Sequence, residues 1–138
     1  MKKIFIIISM LVSFNAFAQV KALTSNEFFS EIYDNENEVF VNKYGIVIDL
    51  YATWCGPCRV MAPIFDNVAW QYSSYFNFYR VDIDEEEDIA DFFGVKSIPM
   101  LIYIPAKRNN SSFYSSSGVI SKEALLDKIK KYIVKNSD

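Results

Sequence analysis

The sequence predicts an α/β fold, in which a central mixed β-sheet carries helices on both faces. Residues 46–52 are apolar at nearly every position, as expected for a strand that is covered on both faces. Segments with strand composition alternate with segments whose apolar residues recur every three or four positions. At 138 residues the chain has the size of one domain. Together these observations predict the order β-α-β-α-β-α-β-β-α.

The first elements precede that central strand. Residues 20–23 predict a short strand, and Thr24 with Glu27 has the pattern of a capping box that opens a helix. The polar residues 34–38 are expected to end this helix. Three of its side chains are expected to face the core: Phe28, Phe29 and Ile32.

The later elements follow the same alternation. They are expected in this order: an amphipathic helix to about Ser74, a strand at 76–83, a short helix at 85–93 that ends at Gly94, two paired strands at 99–104 and 113–117, and a helix capped by Ser121. A series of aromatic residues is assigned to the core: Phe65, Trp70, Tyr72, Tyr75, Phe76, Phe78 and Tyr79.

The first eighteen residues have the pattern of a secretory signal peptide. A basic start is followed by apolar residues 4–12 and by the small-residue site Ala16-Phe17-Ala18. Cleavage is expected after Ala18, which leaves a mature domain of residues 19–138. The apolar stretch is shorter than the ~20 residues of a spanning helix, so an uncleaved anchor is the less favoured alternative. We therefore expect export across the inner membrane, to the periplasm if the source is a Gram-negative bacterium.

Cys55 and Cys58 are the only cysteines, and they lie where the buried strand gives way to a helix. A helix N-terminus stabilises a thiolate, and a spacing of three residues permits a disulfide. A loop this short would be a poor structural staple, and no further cysteine or histidine exists to complete a zinc site. The absence of histidine also excludes imidazole catalysis. The sequence therefore predicts a reversible dithiol/disulfide couple with no metal and no cofactor.

The charge of the chain argues against nucleic acid as a partner. The formal net charge is −3, and removal of residues 1–18 takes away two lysines and no acid. The acidic run at 82–88 lacks the spacing of a calcium loop and is expected to be a solvated helix start. The lysines that remain are scattered, so no basic groove is expected.

The chain resembles the thioredoxin family over about residues 20–136. The motifs that carry the resemblance are Val47-Ile48-Asp49, Trp54-Cys55-Gly56-Pro57-Cys58-Arg59, Ala62-Pro63, Val81-Asp82-Ile83-Asp84, Gly94-Val95-Lys96-Ser97-Ile98-Pro99 and Gly118. The resemblance implies a thioredoxin fold and thiol–disulfide exchange with disulfide-containing protein substrates. Arg80 departs from the family pattern, because lysine is usual near the buried aspartate.

The resemblance also implies roles for the cysteine motif. Cys55 is the expected nucleophile, which forms a mixed disulfide, and Cys58 is the expected resolving thiol. Gly56 and Pro57 are expected to tune the couple, since no histidine separates the cysteines. The potential should then lie nearer thioredoxin's about −270 mV than the about −120 mV of a strong periplasmic oxidant. The favoured direction is reduction of substrates.

Five further positions are candidate site residues. Asp49 interrupts an apolar strand and is expected to be a buried base for the Cys58 proton, the alternative being a solvent-facing edge position. Arg80 is expected to modulate Asp49, or else to be a surface charge. Trp54, Ile98 and Pro99 are expected to contact substrate, with a cis bond at Pro99 and plain packing as the alternative for Trp54.

The sequence as a whole therefore predicts an exported disulfide reductase of envelope proteins. By resemblance, its electrons would come from a membrane thiol-transfer protein, and we expect a monomer. One alternative is an exported oxidase or isomerase, which a redox potential distinguishes. The other is a non-catalytic binding module, which should work without either cysteine.

Overall fold

A five-stranded mixed sheet forms the centre of the computed structural model, which describes residues 19–106 and 110–137. The signal peptide predicted at residues 1–18 lies outside the described residues. The strands are β1 (Val20–Ala22), β2 (Tyr33–Asp34), β3 (Val39–Phe40), β4 (Gly45–Tyr51), β5 (Phe76–Asp82), β6 (Met100–Ile104) and β7 (Tyr114–Ser117). The helices are α1 (Ser25–Glu27), α2 (Gly56–Tyr72), α3 (Glu87–Phe93) and α4 (Lys122–Tyr132).

The strand order of the sheet is β1-β5-β4-β6-β7. The central strand β4 runs parallel to β5 and antiparallel to β6, while β1 is parallel to β5 and β7 is antiparallel to β6. Alternate residues of β4 enter different cores, as the pleat of a strand requires. One core contains α3 and Phe28, which directly follows α1, and they pack with Ile46, Ile48 and Leu50. Val47 packs with α2 and α4 on the other face, so the predicted mixed sheet with helices on both faces is confirmed.

The first helical segment and its capping box form as expected. The Thr24 side chain accepts a hydrogen bond from the Glu27 N–H, and Glu27 accepts one from the Thr24 N–H. After the single turn of α1 the chain continues as a π-helix over Phe28–Ile32. Phe28 and Ile32 are buried.

The polar residues 34–38 do more than end a helix, which the sequence did not predict. Asp34 belongs to β2, and residues 35–38 connect β2 to β3 in a small antiparallel hairpin, in which Tyr33 pairs with Phe40. The turn is held by Asp34, whose carboxylate accepts hydrogen bonds from the N–H groups of Glu36 and Asn37.

Two other expectations concern the end of a helix and the aromatic residues. The helix α3 ends at Gly94, whose φ of 63° lies in the left-handed region, as predicted. The assignment of the whole aromatic series to the core was wrong for Trp70 and Tyr75, which are exposed. Among the described residues, no helix combines the length and the apolar character needed to cross a bilayer.

Candidate active site

The two cysteines lie at the start of α2: Cys55 is four residues after the end of β4, and Cys58 is in the first turn of the helix. Cys55 is the N-cap of the helix, and its Sγ accepts a hydrogen bond of 3.2 Å from the Cys58 N–H. A disulfide joins the two residues, whose Cα atoms are 5.3 Å apart. Both residues are 4% exposed. The free N–H groups and the dipole of the helix therefore act on Cys55, which favours its ionisation once the disulfide is reduced.

Apolar side chains surround the disulfide. Ala52 is buried with the two cysteines, and Ile98 packs against this cluster, together with Tyr51 and Ile83. The Ile98–Pro99 peptide bond is cis, as the resemblance implies, and Pro99 immediately precedes β6. Ile98, which is about forty residues from the cysteines in the sequence, thus packs beside them, and the buried Pro99 follows it.

Trp54 lies beside the disulfide but not in the core. Its side chain is 66% exposed, and its indole Nε1 donates a hydrogen bond of 2.8 Å to Asp84 Oδ2. Plain packing in the core, the alternative considered for Trp54, therefore does not fit its position. The indole presents an exposed apolar face whose orientation is fixed by the loop after β5.

Asp49 is buried in the central strand at 1% exposure, which rules out a solvent-facing edge position. Its Oδ2 accepts a hydrogen bond of 3.1 Å from Arg80 Nε, and its Oδ1 has no hydrogen-bond partner within residues 19–106 and 110–137. Burial raises the pKa of the Asp49 carboxyl above its ordinary value, and the neighbouring Arg80 guanidinium offsets part of that rise. A carboxylate of this kind can accept a proton at a higher pH than an exposed one.

Arg80 is held in place by more than Asp49. Its Nη2 donates a hydrogen bond of 3.0 Å to Asp66 Oδ1, and the rings of Tyr51 and Phe65 lie 6.0 and 5.6 Å from the guanidinium carbon. The Arg80 side chain is only 23% exposed. It is therefore not a solvated surface charge. Asp66 does not stand out in the sequence, because a polar residue on an amphipathic helix carries no signal of what it contacts.

One pocket connects these groups to the disulfide. It has a volume of about 360 Å³, and Asp49, Cys58 and Arg80 all contribute to its lining. Its other lining residues are Tyr51, Ala52, Thr53, Arg59 and Ala62. The face of β4 that carries Val47 also carries Asp49, and α2 covers this face, so the strand and the helix jointly bring the carboxylate to the thiol.

The remaining predicted residues lie in the first turn of α2. Gly56 and Pro57 are exposed and separate the two cysteines, and Pro57 occupies a first-turn position that requires no N–H donor. Across the described part of the chain, no group of three or more acidic or cysteine residues is arranged to hold a metal ion.

Comparisons with known proteins agree with this geometry. The thioredoxin family model matches residues 19–131. A thioredoxin of Borreliella burgdorferi is 38% identical over 87 residues, which cover 61% of this chain and 74% of the relative. A chloroplastic M-type thioredoxin of Pisum sativum is 30% identical over 131 residues, which cover 86% of this chain and 74% of the relative. The crystal structure of chloroplastic thioredoxin z shares the fold at 18% identity, with a TM-score of 0.64 and coverage of 81% and 92%.

Proposed function

Because the chain belongs to the thioredoxin family, we propose that it is an exported reductant that reduces disulfides in envelope proteins. The protein is a thioredoxin-type thiol–disulfide oxidoreductase with a redox-active cysteine pair. The proposal concerns the direction of exchange, the roles of single residues, the compartment and the partners.

The hydrogen bond from the Cys58 N–H to Cys55 Sγ is the observation that supports the division of roles. Cys55 is the sulfur at the helix N-terminus, so it is the thiolate that attacks a substrate disulfide. This attack forms a mixed disulfide and releases one substrate thiolate. Cys58, unlike Cys55, lines the pocket that Asp49 also lines, which suits a thiol that acts second and must lose its proton.

The second step needs the Cys58 proton to leave. The Asp49 carboxylate takes this proton, directly or through a water molecule, and the Cys58 thiolate attacks Cys55 Sγ. The bond from Cys55 to the substrate breaks, and the second substrate sulfur leaves as a thiolate. The substrate gains two electrons, and the protein is left with the Cys55–Cys58 disulfide. Trp54 directly precedes Cys55, and Ile98 packs against the cysteines. Together with Pro99, which follows Ile98, they would provide the surface for an extended substrate segment.

A reductant that acts in an oxidising compartment needs a supply of electrons. We propose a membrane thiol-transfer protein as the donor and a monomer as the working form. Residues 1–18 would direct export and be removed after Ala18. Expression of the whole chain in a Gram-negative host tests this part of the proposal. Mass spectrometry should find a mature protein that begins at Gln19 in the periplasmic fraction, whereas a full-length protein in the cytoplasm would contradict it.

Trapping of the mixed disulfide tests the roles of the two cysteines. The Cys58→Ser variant should accumulate a covalent adduct with a disulfide-containing protein through Cys55, because no thiol remains to resolve it. The matched Cys55→Ser variant should accumulate none. The opposite pattern would mean that Cys58 is the nucleophile and Cys55 the resolving thiol. Normal partner function in a variant that lacks Cys55 and Cys58 would favour the binding-module alternative.

A further inference from the structure

The guanidinium of Arg80 divides two neighbouring donors between two carboxylates. Nε donates to Asp49 Oδ2 at 3.1 Å, and Nη2 donates to Asp66 Oδ1 at 3.0 Å. An arginine often uses two such donors to bind both oxygens of one carboxylate. Here Nη2, which carries two N–H groups, is turned toward Asp66 and donates only to it, and Asp49 receives a single hydrogen bond from Arg80.

This division leaves one oxygen of Asp49 open. Oδ1 is buried and has no hydrogen-bond partner in the part of the chain that the structure describes, although buried polar atoms are nearly always paired. A guanidinium that bound Asp49 through both donors would occupy Oδ1. Asp49, which carries this open oxygen, lines the same pocket as Cys58.

The surroundings of Arg80 favour the divided arrangement. Tyr51 and Phe65 flank the guanidinium, and Asp66 approaches it from α2. The Asp66 side chain is 54% exposed, so it can carry its charge with little loss of hydration, whereas Asp49 is 1% exposed.

We propose that Asp66 is a positioning residue for thiol–disulfide exchange: it holds Arg80 Nη2 away from Asp49 and so keeps Asp49 Oδ1 free for the Cys58 proton. The inference rests on the proposed role of Asp49 as the base. Without Asp66, both donors of Arg80 close on Asp49, stabilise its carboxylate and make it a weaker base. The charged and titratable groups around Asp49, by contact or by lining the same pocket, are Cys58, Arg59 and Asp66 of α2, Arg80 of β5 and Tyr51 of β4.

The test follows the Asp49 carboxyl directly. Its titration is measured by ¹³C NMR in the reduced mature protein, alongside the pH dependence of mixed-disulfide resolution. In Asp66→Ala the pKa of Asp49 should fall, and resolution near neutral pH should slow about threefold or more, since proton transfer to a weaker base is slower. Asp66→Asn should have a smaller effect, because its amide oxygen can still accept from Nη2.

The Arg80→Met background separates positioning from simple repulsion between carboxylates. If Asp66 acts through Arg80, Asp66→Ala should lose most of its effect on Asp49 in that background. An equal fall in both backgrounds, or no fall in either, would overturn the proposal. Asp127→Ala removes an exposed carboxylate of α4 and should not reproduce the result.

The two readouts can fail separately. If Asp66→Ala lowers the pKa of Asp49 while the rate of resolution is unchanged, the divided arrangement is upheld and the role of Asp49 as base is refuted. If Asp49→Asn slows resolution but Asp66→Ala alters neither readout, the role of Asp49 stands and Asp66 is only a surface residue. If Asp66→Ala lowers the melting temperature but changes neither the pKa of Asp49 nor the rate of resolution, Asp66 has only a structural role, which would count against the proposal.

Discussion

Replacement of Asp49 by asparagine is expected to stabilise the protein at neutral pH. The carboxyl is 1% exposed, and its burial raises its pKa above that of an aspartate in the unfolded chain, about 3.9. Between these two pKa values the folded protein binds more protons than the unfolded chain. The free energy of unfolding of the wild type therefore falls as pH rises through this window.

The size of the effect follows from one proton. Within the window the free energy of unfolding of the wild type falls by up to about 1.4 kcal/mol for each pH unit. Above the folded-state pKa of Asp49 it falls no further on account of this group. Asparagine carries no charge, so the advantage of Asp49→Asn should grow across the window and then stay level. Arg80 keeps Asp66 as a partner and is partly exposed, so it is not left as an unpaired buried charge.

Urea unfolding of the oxidised proteins between pH 4 and pH 9 measures this difference. Asp127→Asn, which removes an exposed carboxylate, shows whether loss of any one negative charge produces the same curve. The reasoning is refuted if the advantage of Asp49→Asn shrinks as pH rises. That result would mean that the ion pair with Arg80 outweighs burial and lowers the pKa of Asp49.

Three further predictions concern stability. Thr24→Ala removes the side-chain cap of the first helix and should cost about 1 kcal/mol, measured as a lower denaturation midpoint. Gly45→Ala would place a methyl group where it overlaps Ile133 Cγ2, and should cost about 1–3 kcal/mol. Tyr103→Phe deletes a partly buried 2.9 Å hydrogen bond with Ser116 and should cost about 1 kcal/mol. An unchanged midpoint in any of the three would contradict the corresponding contact.

The sequence predicted most of the sheet because its signals are local. The apolar run at 46–52 corresponds to the central strand β4, and Gly94 ends α3 where a left-handed residue is needed. The hairpin of β2 and β3 was missed, because each strand has only two residues and no alternating pattern can develop over that length.

The site was predictable to the extent that single residues stand out in their surroundings. Asp49 is a lone charge in an apolar strand, and Cys55 with Cys58 has a spacing that is meaningful by itself. Asp66 gave no such signal, since its role depends on how α2 lies against β5. Trp70 was misassigned because aromatic composition does not reveal which face of α2 meets solvent, and Tyr75 was misassigned because it lies in the turn between α2 and β5. The roles of the site residues remain predictions.

The equilibrium redox potential of the Cys55–Cys58 couple tests the central claim most directly. The mature protein, residues 19–138, is equilibrated with a series of dithiothreitol or glutathione buffers, and the fraction of disulfide is measured. A protein that works as a reductant should have a potential of about −250 mV or lower, in the range of thioredoxin. A potential above about −180 mV would contradict this account and indicate that the protein makes or rearranges disulfides.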